Sequence, residues 1–407
     1  MQEELPLMLV LLILLLFSKV FGELLERIGI PALTGEILGG LVLGPTVLGL
    51  VKDTHEIRAI ADLGVLMLIV MAGLEIRGSE IRTALKGRNI WTAILGFLIP
   101  GAGGYLVGHF LGYDVLFSIF LGLCLSISAL PVSIRILMDL GKLHSDIGRL
   151  IISAAILNDI LSLLVLGVIL DVQDQYIFSS EFTMTILKNL GRVVIFITVL
   201  MLIYRIFRIA RNKVGIVSPK MNHFLKLMKG RESLFALCMI FVLAFSGLAE
   251  IMGLHFVIGA FFGAILIPRE LFPEEDFDKV KKTTQGVTMG FLAPIFFAYI
   301  GVLIDIQSLA NILMFLLVLV TVTIGKTLSG YLGGRIAGMS GVQSMTLGIG
   351  MNTKGIMELV IANIAYQKGF IDITMFTILV VIAIITTVAT PFLLKRSFRL
   401  ADKATPA

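Results

Sequence analysis

Charge is scarce in this chain. Only 15% of its 407 residues are Asp, Glu, Lys or Arg, where a soluble domain carries about a quarter. Hydrophobic residues make up 57% and the mean hydropathy is +1.00, so the composition points to a lipid bilayer. Cysteine is nearly absent. Cys124 and Cys238 both sit in apolar runs, which excludes a disulfide or metal framework. The five histidines, His55, His109, His144, His223 and His255, are scattered and make no ligand cluster. No G-x-x-x-x-G-K-[ST] phosphate loop occurs, and no stretch outside the apolar runs is long enough to hydrolyse anything. A transporter driven by an ion gradient is expected, not an enzyme, with no cofactor, no resident metal and no nucleic-acid partner. The 33 Lys and Arg exceed the 28 Asp and Glu by a net +5, an excess that matters through its placement.

A helix crossing the bilayer needs roughly 20 mostly apolar residues. Thirteen candidates lie near residues 5–25, 31–50, 58–76, 90–111, 115–139, 148–171, 185–209, 232–252, 254–269, 287–304, 309–337, 343–367 and 371–395. Backbone groups in lipid must be satisfied within the segment, so these are helices and the fold class is an all-α membrane protein. The first run, from Pro6 to Phe21, has no positive stretch before it and no small-residue cleavage site, and reads as a retained span. With thirteen spans, the basic loops fall on one side: Arg77, Arg82, Lys86 and Arg88; Lys142, His144 and Arg149; the loop from Arg205 to Arg231; and Lys395, Arg396, Arg399 and Lys403. Asp114, Asp171, Asp174, Glu181 and Asp305 fall on the other. The positive-inside rule then puts the N-terminus outside and the C-terminus, with a short tail over 396–407, in the cytoplasm of a cell bounded by this membrane.

The chain repeats itself. Gly35-Glu-Ile-Leu-Gly39-Gly-Leu-Val-Leu-Gly-Pro45 in span two matches Gly259-Ala-Phe-Phe-Gly263-Ala-Ile-Leu-Ile-Pro268 in span nine. Gly73-Leu-Glu75-Ile closes span three as Gly301-Val-Leu-Ile-Asp305 closes span ten. Seven spans separate the partners in each case. Seven is odd, so the two repeats run in opposite directions, an arrangement that puts transport sites near the midplane where helices break. Small-xxx-small packing alone would explain either match singly; two matches in order favour the repeat.

Polar residues inside apolar spans are functional candidates because charge near the bilayer centre is costly. Span six carries Asn158-Asp159 and, a turn on, Ser162. A carboxylate there can hold a desolvated cation or a proton, scarcely both, and that competition is the physical core of exchange. Asn158 can supply an acceptor or hold the carboxylate, and Ser162 can line the same path; the plain alternative is an aspartate that merely bridges helices. Span five is interrupted by Ser126-Ile-Ser128-Ala-Leu-Pro131-Val-Ser133 and span twelve by Gly348-Ile-Gly350-Met-Asn352-Thr353-Lys354-Gly355. Proline removes a backbone donor, the two breaks are seven spans apart, and half-helix ends facing each other bring dipole ends together. Lys326 stands alone in span eleven, where it can pair with Asp159, neutralise those dipole ends, or snorkel to the interface. Lys354 and Glu358, four apart, form a possible structural pair.

These residues carry a resemblance. Pro31-Ala-Leu-Thr-Gly-Glu-Ile-Leu-Gly-Gly-Leu-Val-Leu-Gly-Pro45 resembles the second-helix signature of the monovalent cation:proton antiporter-2 family, and Phe291-Leu-Ala-Pro-Ile-Phe-Phe and Gly350-Met-Asn-Thr-Lys-Gly-Ile-Met-Glu-Leu-Val360 look like it too. The likeness runs from about residue 6 to 395. It implies one transporter unit over 1–395: panel helices for dimerisation in 1–89 and 232–304, a mobile core with crossed discontinuous helices in 90–171 and 309–395, and a linker helix over 185–209. It also implies a homodimer with elevator-like alternating access. By the resemblance, Asp159 binds the cation and the proton, with Asn158, Ser128 and Ser162 beside it. Lys326 matches the core lysine, and the crossing consists of Ala129, Leu130, Pro131 and Val132 with Asn352, Thr353, Lys354 and Gly355.

The departures from that family sharpen the expectation. Many sodium-exporting relatives carry two adjacent aspartates where this chain has Asn158-Asp159, and Leu130 stands where sister exchangers have an acid. A single carboxylate implies one cation exchanged for one proton with no net charge moved. Potassium-efflux relatives usually carry a cytosolic nucleotide-binding domain, which tilts the expected ion toward Na⁺ over K⁺. The alternatives are a K⁺/H⁺ efflux antiporter, a K⁺ channel-like protein, which lacks its carbonyl filter here, and an organic-anion/Na⁺ symporter of similar architecture. The basic loop Arg205–Arg231 leaves room for a cytosolic regulator of unknown identity.

Overall fold

The computed structural model describes residues 5–76, 78–87, 89–170, 180–213, 231–267 and 274–404. Among them are helices and no strand. In chain order the α-helices are α1 (Leu7–Arg27), α2 (Ala32–Leu43), α3 (His55–Glu75), α4 (Gly78–Ala84), α5 (Asn89–Phe110), α6 (Val115–Ser126), α7 (Leu130–Asp139), α8 (Asp146–Ile169), α9 (Ser180–Lys213), α10 (Arg231–Ile251), α11 (Phe256–Leu266), α12 (Glu274–Val287), α13 (Ala293–Leu303), α14 (Ile312–Ile336), α15 (Gly341–Gly350), α16 (Ile356–Gln367) and α17 (Ile373–Ala404). A π turn over Thr288–Leu292 joins α12 to α13. Arg77, Arg88, Asp171, Asp174 and residues 214–230 of the basic loop lie outside the described residues.

The sequence predicts thirteen crossings; ten of the described helices are long and apolar enough to make one, with α6–α7 and α12–α13 each counted as a single rod. The other three expected spans are shorter. α2 has 12 residues, α11 has 11, and span twelve is broken into α15 and α16 of 10 and 12 residues. At 1.5 Å per residue a 12-residue helix covers about 18 Å of a hydrocarbon layer about 30 Å thick. α2 stops where Gly44 turns extended, at φ −70° and ψ 174°, ahead of Pro45, which has no N–H to continue the ladder. Span ten starts earlier than predicted, because the polar 14-residue helix α12 carries the rod back to Glu274. At the other end, the predicted tail continues α17 to Ala404.

The chain forms two compact units. The first comprises residues 1–62, 78–162 and 294–407, the second 63–77 and 163–293. In the first, α2 lies against α1 so closely that a side chain on Gly35 would strike the Phe21 carbonyl. Its other side meets α13, with Gly40 against the Ala298 carbonyl and Gly301 against that of Ile37. In the second unit the matching residues do the same. Gly259 of α11 meets Phe245 and Ser246 of α10, and Ala264 of α11 fits over Gly73 of α3. The repeats found in the sequence are therefore interlocked: α2 of the first packs on α13 of the second, and α11 of the second on α3 of the first. In lipid, with no hydrophobic force between helices, such close backbone approach is a main source of association. Outward faces are apolar, as on α1, where Met8 and Leu12 are exposed.

Candidate functional site

The site lies in the first unit, where α6 and α15 both stop short. α6 ends at Ser126 and the chain runs extended through Ile127, Ser128 and Ala129 before α7 begins at Leu130. Pro131 sits in the first turn of α7, where its missing N–H is one of the unpaired donors anyway and its fixed φ suits a helix start. The break therefore precedes the proline: of the predicted crossing residues, Ala129 lies in the extended stretch, and Leu130, Pro131 and Val132 are already helical. Opposite, α15 ends at Gly350, and Met351 to Gly355 lead into α16.

The two breaks cross and are bonded to each other. The Ala129 N–H donates to the Thr353 carbonyl at 3.0 Å, the Ser128 hydroxyl to the Met351 carbonyl at 3.3 Å, and the Ser133 and Thr353 hydroxyls share a bond of 2.6 Å. Gly355 is small by necessity, because a Cβ there would lie 2.8 Å from that of Ala129. Asn352 donates to the Thr327 hydroxyl at 2.9 Å and to the Gly348 carbonyl at 3.0 Å.

A broken helix leaves its last carbonyls without intrahelical donors. At the end of α6 two buried lysines supply them, Lys326 from α14 and Lys354 from the break between α15 and α16. Lys326 donates to the Ser126 carbonyl, to the Gly96 carbonyl at 3.1 Å and to the Ser128 hydroxyl at 2.8 Å. Lys354 donates to the carbonyls of Cys124 and Leu125 at 3.1 and 3.3 Å and pairs ionically with Glu358 at 2.9 Å. An ammonium has three donors; Lys326 makes three hydrogen bonds and Lys354 two, with Glu358 as its ionic partner. Cations at a helix C-terminus also oppose its negative dipole end. No ion pair or hydrogen bond joins Lys326 to Asp159 among the described residues; its hydrogen bonds go to Gly96 and to the end of α6. Lys354 and Glu358 are wholly buried and paired.

Asn158, Asp159 and Ser162 on α8 are equally buried, at 0%, 1% and 0% exposure. Neither oxygen of Asp159, neither polar atom of Asn158 and not the Ser162 hydroxyl has a hydrogen-bond partner in the protein. More than nine in ten buried polar groups are satisfied in folded proteins, and an uncompensated buried charge is costly. Five such atoms lie together on one stretch of α8. Gly96 touches both clusters: its carbonyl takes Lys326, and its bare Cα side is covered first by the Met351 side chain and then by Asn158, whose Nδ2 lies 3.3 Å from where a Cβ would sit. The sequence reading missed Gly96, Thr327 and Asn363. Asn363 is a lone amide in the apolar helix α16, wholly buried with neither polar atom hydrogen-bonded.

Interlocked inverted repeats, two crossed broken helices and a buried unpaired carboxylate define a class, that of the secondary transporters with a midplane ion site. The sodium/hydrogen exchanger transmembrane family matches residues 10–398, and the chain belongs to it. This places it among cation:proton antiporters, membrane transporters and not enzymes, under the broad exchanger heading rather than the finer antiporter-2 division. The chain is 29% identical to the Na⁺/H⁺-K⁺ antiporter GerN of Bacillus cereus over 398 residues, 97% of each chain. It is 27% identical to a Na⁺/H⁺ antiporter of Enterococcus hirae over 388 residues, 95% of this chain and 96% of the relative. The solved sodium proton antiporter MjNhaP1 of Methanocaldococcus jannaschii superposes with a TM-score of 0.70 at 16% identity, covering 96% of both chains, a likeness of fold.

Proposed function

We propose that this chain exchanges one monovalent cation, Na⁺ ahead of K⁺, for one proton, with Asp159 as the shared site. The observation that carries this reading is the unpartnered Asp159 carboxylate at 1% exposure. One acid cannot hold a proton and a cation together, so binding of either expels the other. Asn158 and Ser162 offer neutral oxygens to a partly dehydrated cation. Ser128 hydrogen-bonds Lys326 and the Met351 carbonyl, and so belongs to the scaffold of the crossing. With one site carboxylate the cycle moves no net charge. The name of GerN, which couples Na⁺, H⁺ and K⁺, keeps K⁺ as a second cargo, while membership of an antiporter family argues against the channel and organic-anion readings.

Around this site the core would comprise 90–171 and 309–395 and the panel 1–89 and 232–304, with 185–209 linking them, in a homodimer working by elevator-like alternating access. The chain would sit in the cell membrane with its N-terminus outside, and a cytosolic regulator would meet the basic loop. The test is proton flux in proteoliposomes holding a pH gradient, with Na⁺, Li⁺, K⁺ and Rb⁺ added in turn. Dissipation by Na⁺ and Li⁺, unchanged by an imposed membrane potential, is the expected result. Response to K⁺ and Rb⁺ alone would overturn the sodium preference, marked stimulation by potential would overturn one-for-one exchange, and silence with all four would remove the antiport reading.

A further inference from the structure

Two helices of the first unit frame a feature that ion exchange does not use. α15 and α17 are tied side by side by the buried hydroxyls of Thr346 and Ser397, 2.7 Å apart. Beside that tie opens a groove of about 380 Å³. Val342, Met345 and Ile349 of α15 form one wall, and Leu393 and Leu400 of α17 the other, with Arg396 on its lining. Met345, Leu393 and Leu400 are 46%, 53% and 56% exposed, so the groove opens outward to the apolar medium around the helices.

Apolar residues on a lipid face are ordinary; a cleft with one cation in it is not. Arg396 follows the apolar run of α17, at the level where a long basic side chain reaches the headgroups. No acid answers it among the described residues. Asp402, the acid on the same helix end, is held by Lys142 at 2.7 Å. Lys395, Arg399 and Lys403 add to the positive field there.

We propose that the groove seats one acyl chain of an anionic glycerophospholipid whose phosphate meets Arg396. The apolar walls suit the chain, and the guanidinium suits a phosphate geometrically and by charge. A zwitterionic headgroup would bring its own cation against the basic end of α17. The seat matters because Ile349 is next to the end of α15, from which the chain passes directly into the Met351–Gly355 crossing. Lipid in the groove would brace the half-helix that carries the crossing.

The test follows thermal unfolding of the purified full chain in neutral detergent during titration with phosphatidylglycerol, phosphatidylcholine of the same chains, or glycerol phosphate. The expected result is saturable stabilisation by phosphatidylglycerol at about fivefold lower concentration than phosphatidylcholine, the size of one basic contact near an anionic surface, and none by glycerol phosphate. Arg396→Gln should bring the two lipids within about twofold, whereas Arg399→Gln, outside the groove lining, keeps the difference. Met345→Trp, which fills the groove, should remove saturable stabilisation by both lipids. Equal response to both lipids in the wild type overturns the proposal. So does loss in Arg399→Gln equal to that in Arg396→Gln, which means diffuse surface charge. Stabilisation by glycerol phosphate alone would mark a free-anion site. A lower dimer fraction in Met345→Trp with the lipid preference intact would mark a contact between copies.

Discussion

Two polar clusters lie at the same depth of burial in the first unit, and they are opposites. Lys326 and Lys354 make five hydrogen bonds and one ion pair between them, mostly to the stranded carbonyls at the end of α6. Around Asp159 five side-chain atoms have none. The fold consumes the first cluster's polarity to hold a broken helix together and leaves the second's unspent. Burial does not distinguish the two clusters; the lysines are hydrogen-bonded and Asp159 is not, while Glu358 stands between, ion-paired to Lys354 with neither oxygen hydrogen-bonded. The same contrast separates the two half-helix ends. α15 is closed by neutral local donors, Asn352 to Gly348 and Thr353 to Gly350 at 3.2 Å, whereas α6 is closed by lysines far away in the chain, Lys326 on α14 and Lys354 in the opposite break.

The largest effect should come from Asp159→Asn. It keeps the shape, removes the charge, and should lower exchange by at least about a hundredfold with the unfolding temperature unchanged. Full activity would place the working acid elsewhere. Lys326→Ala is the opposite experiment. It strands the Gly96 and Ser126 carbonyls and should cost about 3 kcal/mol of stability, read as a clear fall in unfolding temperature. An unchanged temperature would mean the lysine is not a cap. For the second lysine, Lys354→Met alone should destabilise strongly, and Lys354→Met with Glu358→Leu should recover at least about 1 kcal/mol of that loss, because the second change removes a stranded buried acid. Additive losses would show the pair to be uncoupled. The smallest effect belongs to Ser162→Ala: a rise of about threefold to tenfold in the cation concentration at half-maximal rate, the size of one neutral oxygen contact, with stability intact. A stability loss without that shift would move Ser162 to the structural side of the contrast.

Much of this was legible in the residues. A lone Asp159, a lone Lys326 and two polar interruptions are conspicuous in apolar runs because lipid tolerates so few charges. The breaks were harder to locate. Pro131 drew attention to Ala129–Val132, but the extended stretch is Ile127–Ala129, two residues earlier, since proline starts a helix as readily as it ends one. Gly96 was invisible, as one glycine among 41; its part depends on which helices come to lie beside α5.

The sequence by itself determined most of the spans, their all-helical nature, the inverted repeat and that Asp159 is a buried acid. Each of these follows from local rules: hydropathy over a window, backbone satisfaction within a segment, and the cost of a charge in lipid. Only the tertiary structure decided that the repeats interlock through α2–α13 and α3–α11, that Lys326 and Lys354 close α6, and that Asp159 is left without a partner. Those facts concern which atoms of distant residues come within about 3 Å of one another, and no periodicity along a chain carries that information.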